Sequence, residues 1–276
     1  MNQSTKQRVY AAVWFLALAA SAIIPVKPSD AADPAAVELW RLDCGGFPPM
    51  NIEEMSDTFD YPGRIKDLTD SCYAIRHGHD YMLWDTGFSA ATAEAFKATA
   101  GEPLKAQLSR IGIDPKQISI IAISHWHPDH TGQAAQFPQA RLLIGKADFE
   151  ILAEGKSPDV APWLAGSANL EKVSSDKDIF GDGTVVMLAT PGHTVGHYSL
   201  LIRLQKFGPV ILSGDLWHFS EQVSHNGVPL ENVDRAATLA SMDRILKAAA
   251  NLKAKIVIQH EKADIPKLPL FPASAQ

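Results

Sequence analysis

Residues 118–132 read ISIIAISHWHPDHTG, and the stretch HWHPDH (125–130) inside it decides how the chain is read. A β-branched apolar run passes straight into three imidazoles and a carboxylate. The run reads as a buried strand. A strand end can aim side chains from a rigid frame at one point. Imidazole and carboxylate are ordinary ligands of zinc and similar cations. In an extended turn His125 and His127 project to one side. Beyond the restraining ring of Pro128, Asp129 and His130 can turn toward a second position.

Working outward, the same pattern recurs three times. His193 follows TVVMLATPG (184–192), Asp215 ends PVILSGD (209–215) and His260 ends KIVIQH (255–260). The candidate metal ligands are therefore His125, His127, Asp129, His130, His193, Asp215 and His260. That set exceeds the needs of one tetrahedral zinc and suits two divalent cations sharing one carboxylate. Such a pair activates water and polarises a carbonyl or phosphoryl oxygen, so hydrolysis is the expected reaction. Zinc leads among the metals because the donors are rich in nitrogen, with iron, cobalt and manganese as alternatives. Gly132, Gly192 and Gly214 flank the ligands and read as tight backbone turns.

Other strand-like segments are 37–44, 71–78, 80–87, 141–145 and 198–204, with hairpins at 71–78/80–87 and 198–204/209–215. Helical periodicity marks 102–112, 146–155 and 233–252, the last with Asp234 as N-cap. Strands in succession and helices between strands predict an α/β sandwich with helices on its outer faces.

The chain has 276 residues, 46% of them hydrophobic, and a formal net charge of −6. This is enough for one large domain. The mild acidity and the lack of a basic cluster argue against a nucleic-acid partner. Lys6 and Arg8 precede an apolar run from Tyr10 to Val26, then small residues at Ser29 and Ala31. This predicts a signal peptide over residues 1–31, cleaved after Ala31, rather than an anchor, because the run is short for a span. Residues 32–276 then form a periplasmic or secreted hydrolase domain with no membrane contact. Cleavage removes Lys6, Arg8, Lys27 and Asp30, leaving 22 basic against 30 acidic residues, a net charge of −8. Of the two cysteines, Cys44 and Cys72, each in or beside a strand, buried apolar packing is the preferred reading. Export also permits a disulfide between them. His77, His79 and His225 lie in turn-like segments and read as solvated.

HWHPDH fits the HxHxDH signature of the metallo-β-lactamase superfamily, and TPGHT, SGD and IQH follow in the order that family uses. MLWDTG (82–87) also resembles its early strand-end aspartate motif. The resemblance covers about residues 38–262. It implies an αββα sandwich in a single domain. It assigns His125, His127 and His193 to one metal and Asp129, His130 and His260 to the other, with Asp215 bridging. It makes Asp85 a support for the ligands. His197 either backs a ligand or lies on the surface.

A bridging aspartate separates this chain from the zinc β-lactamases and leaves lactonases, glyoxalase II-type thioesterases and phosphoesterases. RLDCGGF, DTFDYPGR, LTDSCYAIRHG, ISHWHPDHTGQAAQFP and SGDLWHFSEQV resemble exported N-acyl homoserine lactonases, which open the lactone ring of bacterial signals. Only 16 residues follow His260, without the basic helical extension of glyoxalase II. Alternatives are another dinuclear esterase or phosphotriesterase, a glyoxalase II-like thioesterase, or a binding protein that has lost turnover. Many such lactonases carry tyrosine three residues past the bridging aspartate. His218 stands there, and a substrate-contacting imidazole is the preferred reading over one that faces away. Asp129 is expected to return a proton to the leaving group. The segment 47–63 reads as a loop over the site, its methionines suited to varied acyl chains. Trp126 and Trp217 either line the pocket or support the ligands. A homodimer is the oligomeric expectation that the resemblance carries.

Overall fold

Alternation along the strands sorts the apolar residues into layers. In the computed structural model, which describes residues 36–166 and 169–276, the elements run in this order: β1 (Val37–Asn51), β2 (Ile65–His77), β3 (Asp80–Trp84), α1 (Ala90–Ala95), β4 (Thr99–Ala100), α2 (Leu104–Arg110), β5 (Ile118–Ala122), α3 (Pro128–Thr131), β6 (Arg141–Gly145), α4 (Lys146–Glu154), β7 (Leu170–Val173), β8 (Lys177–Asp178), β9 (Val185–Ala189), β10 (Tyr198–Leu204), β11 (Gly208–Leu212), α5 (Gln222–His225), α6 (Arg235–Leu252) and β12 (Lys255–Val257). The leader expected over residues 1–31 lies outside the described residues.

The strands form two sheets, ordered β4-β1-β2-β3-β5-β6-β7 and β12-β11-β10-β9-β8. Because neighbouring strand residues face opposite ways, each sheet feeds two cores. Tyr73, Ile75, Trp84, Leu200, Ile202 and Leu212 meet between the sheets. Cys72, Ala74 and Leu83 turn outward onto Leu104, Leu108, Phe149 and Leu152 of α2 and α4. Leu201 and Ile211 turn the other way onto Met242, Ile245 and Ala249 of α6. The result is the αββα sandwich. The Asp234 side chain accepts the Ala237 N–H and caps α6. Among the described residues no helix is long and apolar enough to cross a membrane.

Strand direction positions the site. In the first sheet β3 and β5 run parallel, and in the second β11 and β12 do. β9 shares the direction of β11, since both are antiparallel to β10. Asp85, His125, His193, Asp215 and His260 all lie just past the C-terminal ends of these strands. Both predicted hairpins are present as antiparallel pairs, β2 with β3 and β10 with β11.

Several expectations are corrected. Cys44 and Cys72 are bonded to each other, not merely packed; their Cα atoms stand 5.8 Å apart on adjoining strands. Segment 47–63 is not all loop, because β1 continues through Asn51 beside Ile65. His77 is half-buried, stacked on Phe180 with centroids 3.9 Å apart and 2.7 Å from Asp182. Gly132 has a helical backbone; its requirement is space, since a Cβ there would lie 2.2 Å from the Ser89 amide nitrogen.

The disulfide closes a loop across a sequence separation of 28. Replacing Cys44 and Cys72 together by alanine is expected to lower unfolding free energy by about 2–4 kcal/mol. Urea unfolding at fixed metal loading measures this. Reductant should reproduce the loss in the parent chain and leave the double variant unmoved; equal midpoints for the two chains would contradict it.

Candidate metal centre

The loops leaving β5, β9, β11 and β12 bring all seven candidate ligands together. His127 Nδ1 lies 2.9 Å from His125 Nε2 and 3.0 Å from His193 Nε2. Asp215 Oδ2 is 3.7 Å from each of the other two nitrogens. Beside this group, His130 Nε2 lies 3.3 Å from Asp215 Oδ1 and 3.5 Å from Asp129 Oδ2. His260 Nε2 lies 3.1 and 3.5 Å from the same two oxygens. Each group offers four ligand atoms within 4.8 Å of one another, and Asp215 belongs to both.

Hydrogen bonds behind the rings set which nitrogen faces inward. His193 Nδ1 meets Asn232 Oδ1 at 2.8 Å, His260 Nδ1 meets the Thr69 carbonyl at 2.8 Å, and His130 Nδ1 meets Asp85 Oδ2 at 3.0 Å. An oxygen at Nδ1 requires the proton there, so Nε2 is the nitrogen turned toward the centre, free to ligate once it carries no proton of its own. Asp85 also accepts the Ser124 N–H at 2.7 Å, and it holds a left-handed φ of 57°, a strained conformation for aspartate. Asp215 is positioned by His197, whose Nε2 accepts the Asp215 N–H at 2.9 Å while Nδ1 faces the Thr190 carbonyl at 3.0 Å. His197 is therefore buried behind a candidate ligand. Gly214 permits that approach: its φ is +55°, and a Cβ would sit 2.7 Å from His197 Nε2.

The charges divide between the two groups. Burial pushes the pKa of His125 well down, lowers that of His127 and takes His193 to about 4, so these rings stay neutral with open lone pairs. Against burial, His260 and His130 hold Asp215 well below the carboxylate range, and His130 and His260 hold Asp129 at about 2. Against burial again, Asp215 and Asp129 raise His130 well above the usual imidazole range and His260 to about 9. The second group thus draws positive charge, and cation binding there would release protons. His130 Nε2 and Asp215 Oδ1 are buried without hydrogen-bond partners among the described residues. Nitrogens converging at 2.9–3.0 Å, flanked by these two unsatisfied atoms, fit two divalent cations.

A cavity of about 430 Å³ opens above the groups. His127, Asp129, Asp215 and His260 face it, under walls of Phe47, Met50, Met55, Leu68, Phe88, Phe96 and Trp126. Segment 47–63 covers the cavity only in part. Ile52 and Tyr61 pack with Leu68 and Phe219 in a small core of their own, and Phe59 is 79% exposed. Trp126 lines the cavity, whereas Trp217 is buried beneath α6. His218 faces inward, with Nε2 3.4 Å from Asp215 Oδ2.

Sequence reasoning missed Asp148, Asn232 and Glu231. The buried Asp148 carboxylate accepts Trp126 N–H at 3.1 Å, Thr194 O–H at 2.6 Å and Gly196 N–H at 2.7 Å, tying two ligand loops together. Its one available signal was a carboxylate on the buried side of the helix KADFEILAE. Asn232 and Glu231 lie in a turn with no motif to mark it.

Asparagine at position 85 can still accept the Ser124 N–H, but its amide N–H would face His130 Nδ1. The His130 proton would then move to Nε2 and block the inward lone pair. Asp85→Asn is expected to weaken metal binding at the second group about 10–100-fold, with metal content falling from two toward one per chain. Elemental analysis after dialysis against a graded chelator measures this, and two retained ions at parental affinity would refute it.

Comparison with known proteins gives a consistent family. The model described as "Metallo-beta-lactamase superfamily" matches residues 66–260. An N-acyl homoserine lactonase of Azorhizobium caulinodans is 30% identical over 171 residues, 56% of this chain and 63% of that protein. The match thus spans less than two thirds of that relative's length. One from a Bacillus species is 28% identical over 214 residues, 72% of this chain and 84% of the other. Among solved structures, a quorum-quenching N-acyl homoserine lactone lactonase superposes with a TM-score of 0.75 at 23% identity. It covers 87% of this chain and 99% of its own. An N-acyl homoserine lactone hydrolase, with N-hexanoyl-L-homoserine bound at its catalytic metal centre, gives 0.73 at 22% identity and the same coverage. At these identities the structural likeness is one of fold.

Proposed function

The chain belongs to the metallo-beta-lactamase superfamily, and we propose that it is a dinuclear metal-dependent hydrolase opening the lactone ring of N-acyl homoserine lactones. One observation carries the reading: two His/Asp groups sharing Asp215 form one face of an apolar cavity of about 430 Å³. The groups suit an ester and water, and the Phe and Met walls suit an acyl chain. The names of the relatives point to the same substrate class.

His125, His127, His193 and Asp215 would hold one cation, and Asp129, His130, His260 and Asp215 the other. Zinc is the proposed metal, because five of the seven ligands are imidazoles. Such a pair, when bound, supplies water activation near neutral pH and Lewis-acid polarisation of the carbonyl.

The residues of the chain account for orientation and proton transfer. Water adds to the lactone carbonyl carbon, and the bond from that carbon to the ring oxygen breaks. Asp129, kept ionised by His130 and His260, takes the proton from the attacking water and passes it to the ring oxygen. His218, facing the cavity beside Asp215, donates an imidazole N–H to the carbonyl oxygen as charge builds on it. The walls exclude water from the acyl chain. The protein is proposed to be exported after cleavage near Ala31, leaving residues 32–276. The Cys44–Cys72 bond supports an oxidising compartment, periplasmic or extracellular.

Purified protein should be tested against N-acyl homoserine lactones, aryl esters, a thioester and a phosphotriester, with metal measured on the same sample. The expected result is about two metals per chain and ring opening that leaves the amide intact. Preferential cleavage of the thioester or phosphotriester would reassign the substrate. Less than one metal per chain without hydrolysis would favour a binding protein.

Asp129→Asn keeps an oxygen able to ligate but loses the base. Turnover number should fall by about 10²–10⁴ while KM and metal content change little, as read by steady-state kinetics. Parental turnover with metal content intact would remove Asp129 from proton transfer.

A further inference from the structure

Among the residues facing the cavity, Glu231 carries the one carboxylate outside the two shared groups. Its side chain is 52% exposed, and Oε1 lies 3.7 Å from His218 Nε2. Backbone contacts hold it in place. The Val228 N–H donates to Asp57 Oδ1, the Leu230 N–H to the Glu54 carbonyl, the Val233 N–H to the His193 carbonyl and the Asp234 N–H to the Gly192 carbonyl. The turn bearing Glu231 is thus pinned on one side to segment 54–57 and on the other to the loop of His193. Glu231 also stands near His193 and His218 as a third group of ligand type. Because His193 Nε2 is directed at His127, only two free ligands remain there, too few to hold a further cation.

We infer that Glu231 is a specificity-determining residue that accepts the amide N–H of an N-acyl homoserine lactone. The inference rests on the lactonase reading above and deepens it. A lactone of this class with an unsubstituted acyl chain has two carbonyls and a ring oxygen, all acceptors, and a single donor, its amide N–H. Cations and the imidazole N–H of His218 serve acceptors. A glutamate side chain brings carboxylate oxygens that accept. The amide nitrogen is bonded to the ring carbon next to the reacting carbonyl, so its partner must stand close to the reacting centre. Glu231 does: its Oε1 and Asp215 Oδ2 both contact His218 Nε2, at 3.7 and 3.4 Å. Apart from Glu231, His218 and the residues of the two shared groups, the remaining walls are Phe, Met, Leu, Trp and Pro side chains, and a substrate N–H facing them would be left unpaired, which weakens binding.

The test compares kcat/KM for an N-acyl homoserine lactone with that for a γ-butyrolactone carrying an alkyl chain of equal length and no amide. In Glu231→Leu the ratio of the two should fall about tenfold or more, the range for a hydrogen bond to a charged group. Glu231→Gln, which keeps one acceptor oxygen, should fall less. The parent enzyme acting on the N-methylated amide should show a loss similar to that of Glu231→Leu on the unmethylated substrate. An unchanged ratio, an equal loss on both lactones, or parental turnover of the N-methyl substrate would overturn the role of Glu231 and leave the lactonase reading standing. A fully metallated parent that opens neither lactone would overturn both.

Discussion

Seven histidine and aspartate side chains of metal-ligand type, gathered out of water, lose hydration that their mutual contacts do not return. Everything around them is arranged against that cost. Asp215 lies between both groups, and its carboxylate is the shared negative charge that draws His130 and His260 upward in pKa. Behind the ligands, Asp85, Asn232 and the Thr69 carbonyl occupy the outer nitrogens of three histidines. Each inner nitrogen is thereby turned toward the centre. The strained φ of Asp85 is consistent with this, since a residue in that conformation persists only where its surroundings demand it.

That arrangement depends on strand direction. Five candidate site residues follow strands that leave the two sheets, and both sheets are stiffened by core on each face. Two further clamps join the loops to one another. Asp148 ties the His125–His127 loop to residues 194–196, and His197 ties the His193 loop to Asp215. A shift in any one loop would therefore be felt by the others, which suits a centre that needs sub-ångström placement.

The cavity is built on a different principle. Its walls come from β1 and β2, which the Cys44–Cys72 bond joins, and from the segments after β3 and β5. They supply apolar area, while the residues facing it from the clusters supply charge. Glu231 and His218 stand where these two environments meet. A polar atom left unpaired at such a boundary is costly.

Much of this was legible in the sequence. HWHPDH, the two later strand-end histidines and the strand-end aspartate, the hairpins and the Asp234 cap are local patterns, in which spacing along the chain sets geometry directly. The β-branched apolar runs and the order of strands and helices likewise pointed to an α/β sandwich with outer helices, and the family resemblance to its αββα form. What only the tertiary structure decided concerns partners distant in sequence. The bond between Cys44 and Cys72 depends on the β1–β2 register, which no cysteine spacing reveals. Likewise, His77 stacks on Phe180, more than a hundred residues away, so its turn-like surroundings misled. Asp148, Asn232 and Glu231 carry no motif. Their roles arise because folding brings a helix start and a turn against loops encoded elsewhere, and a side chain's chemistry is then set by what lies across from it rather than by its neighbours along the chain.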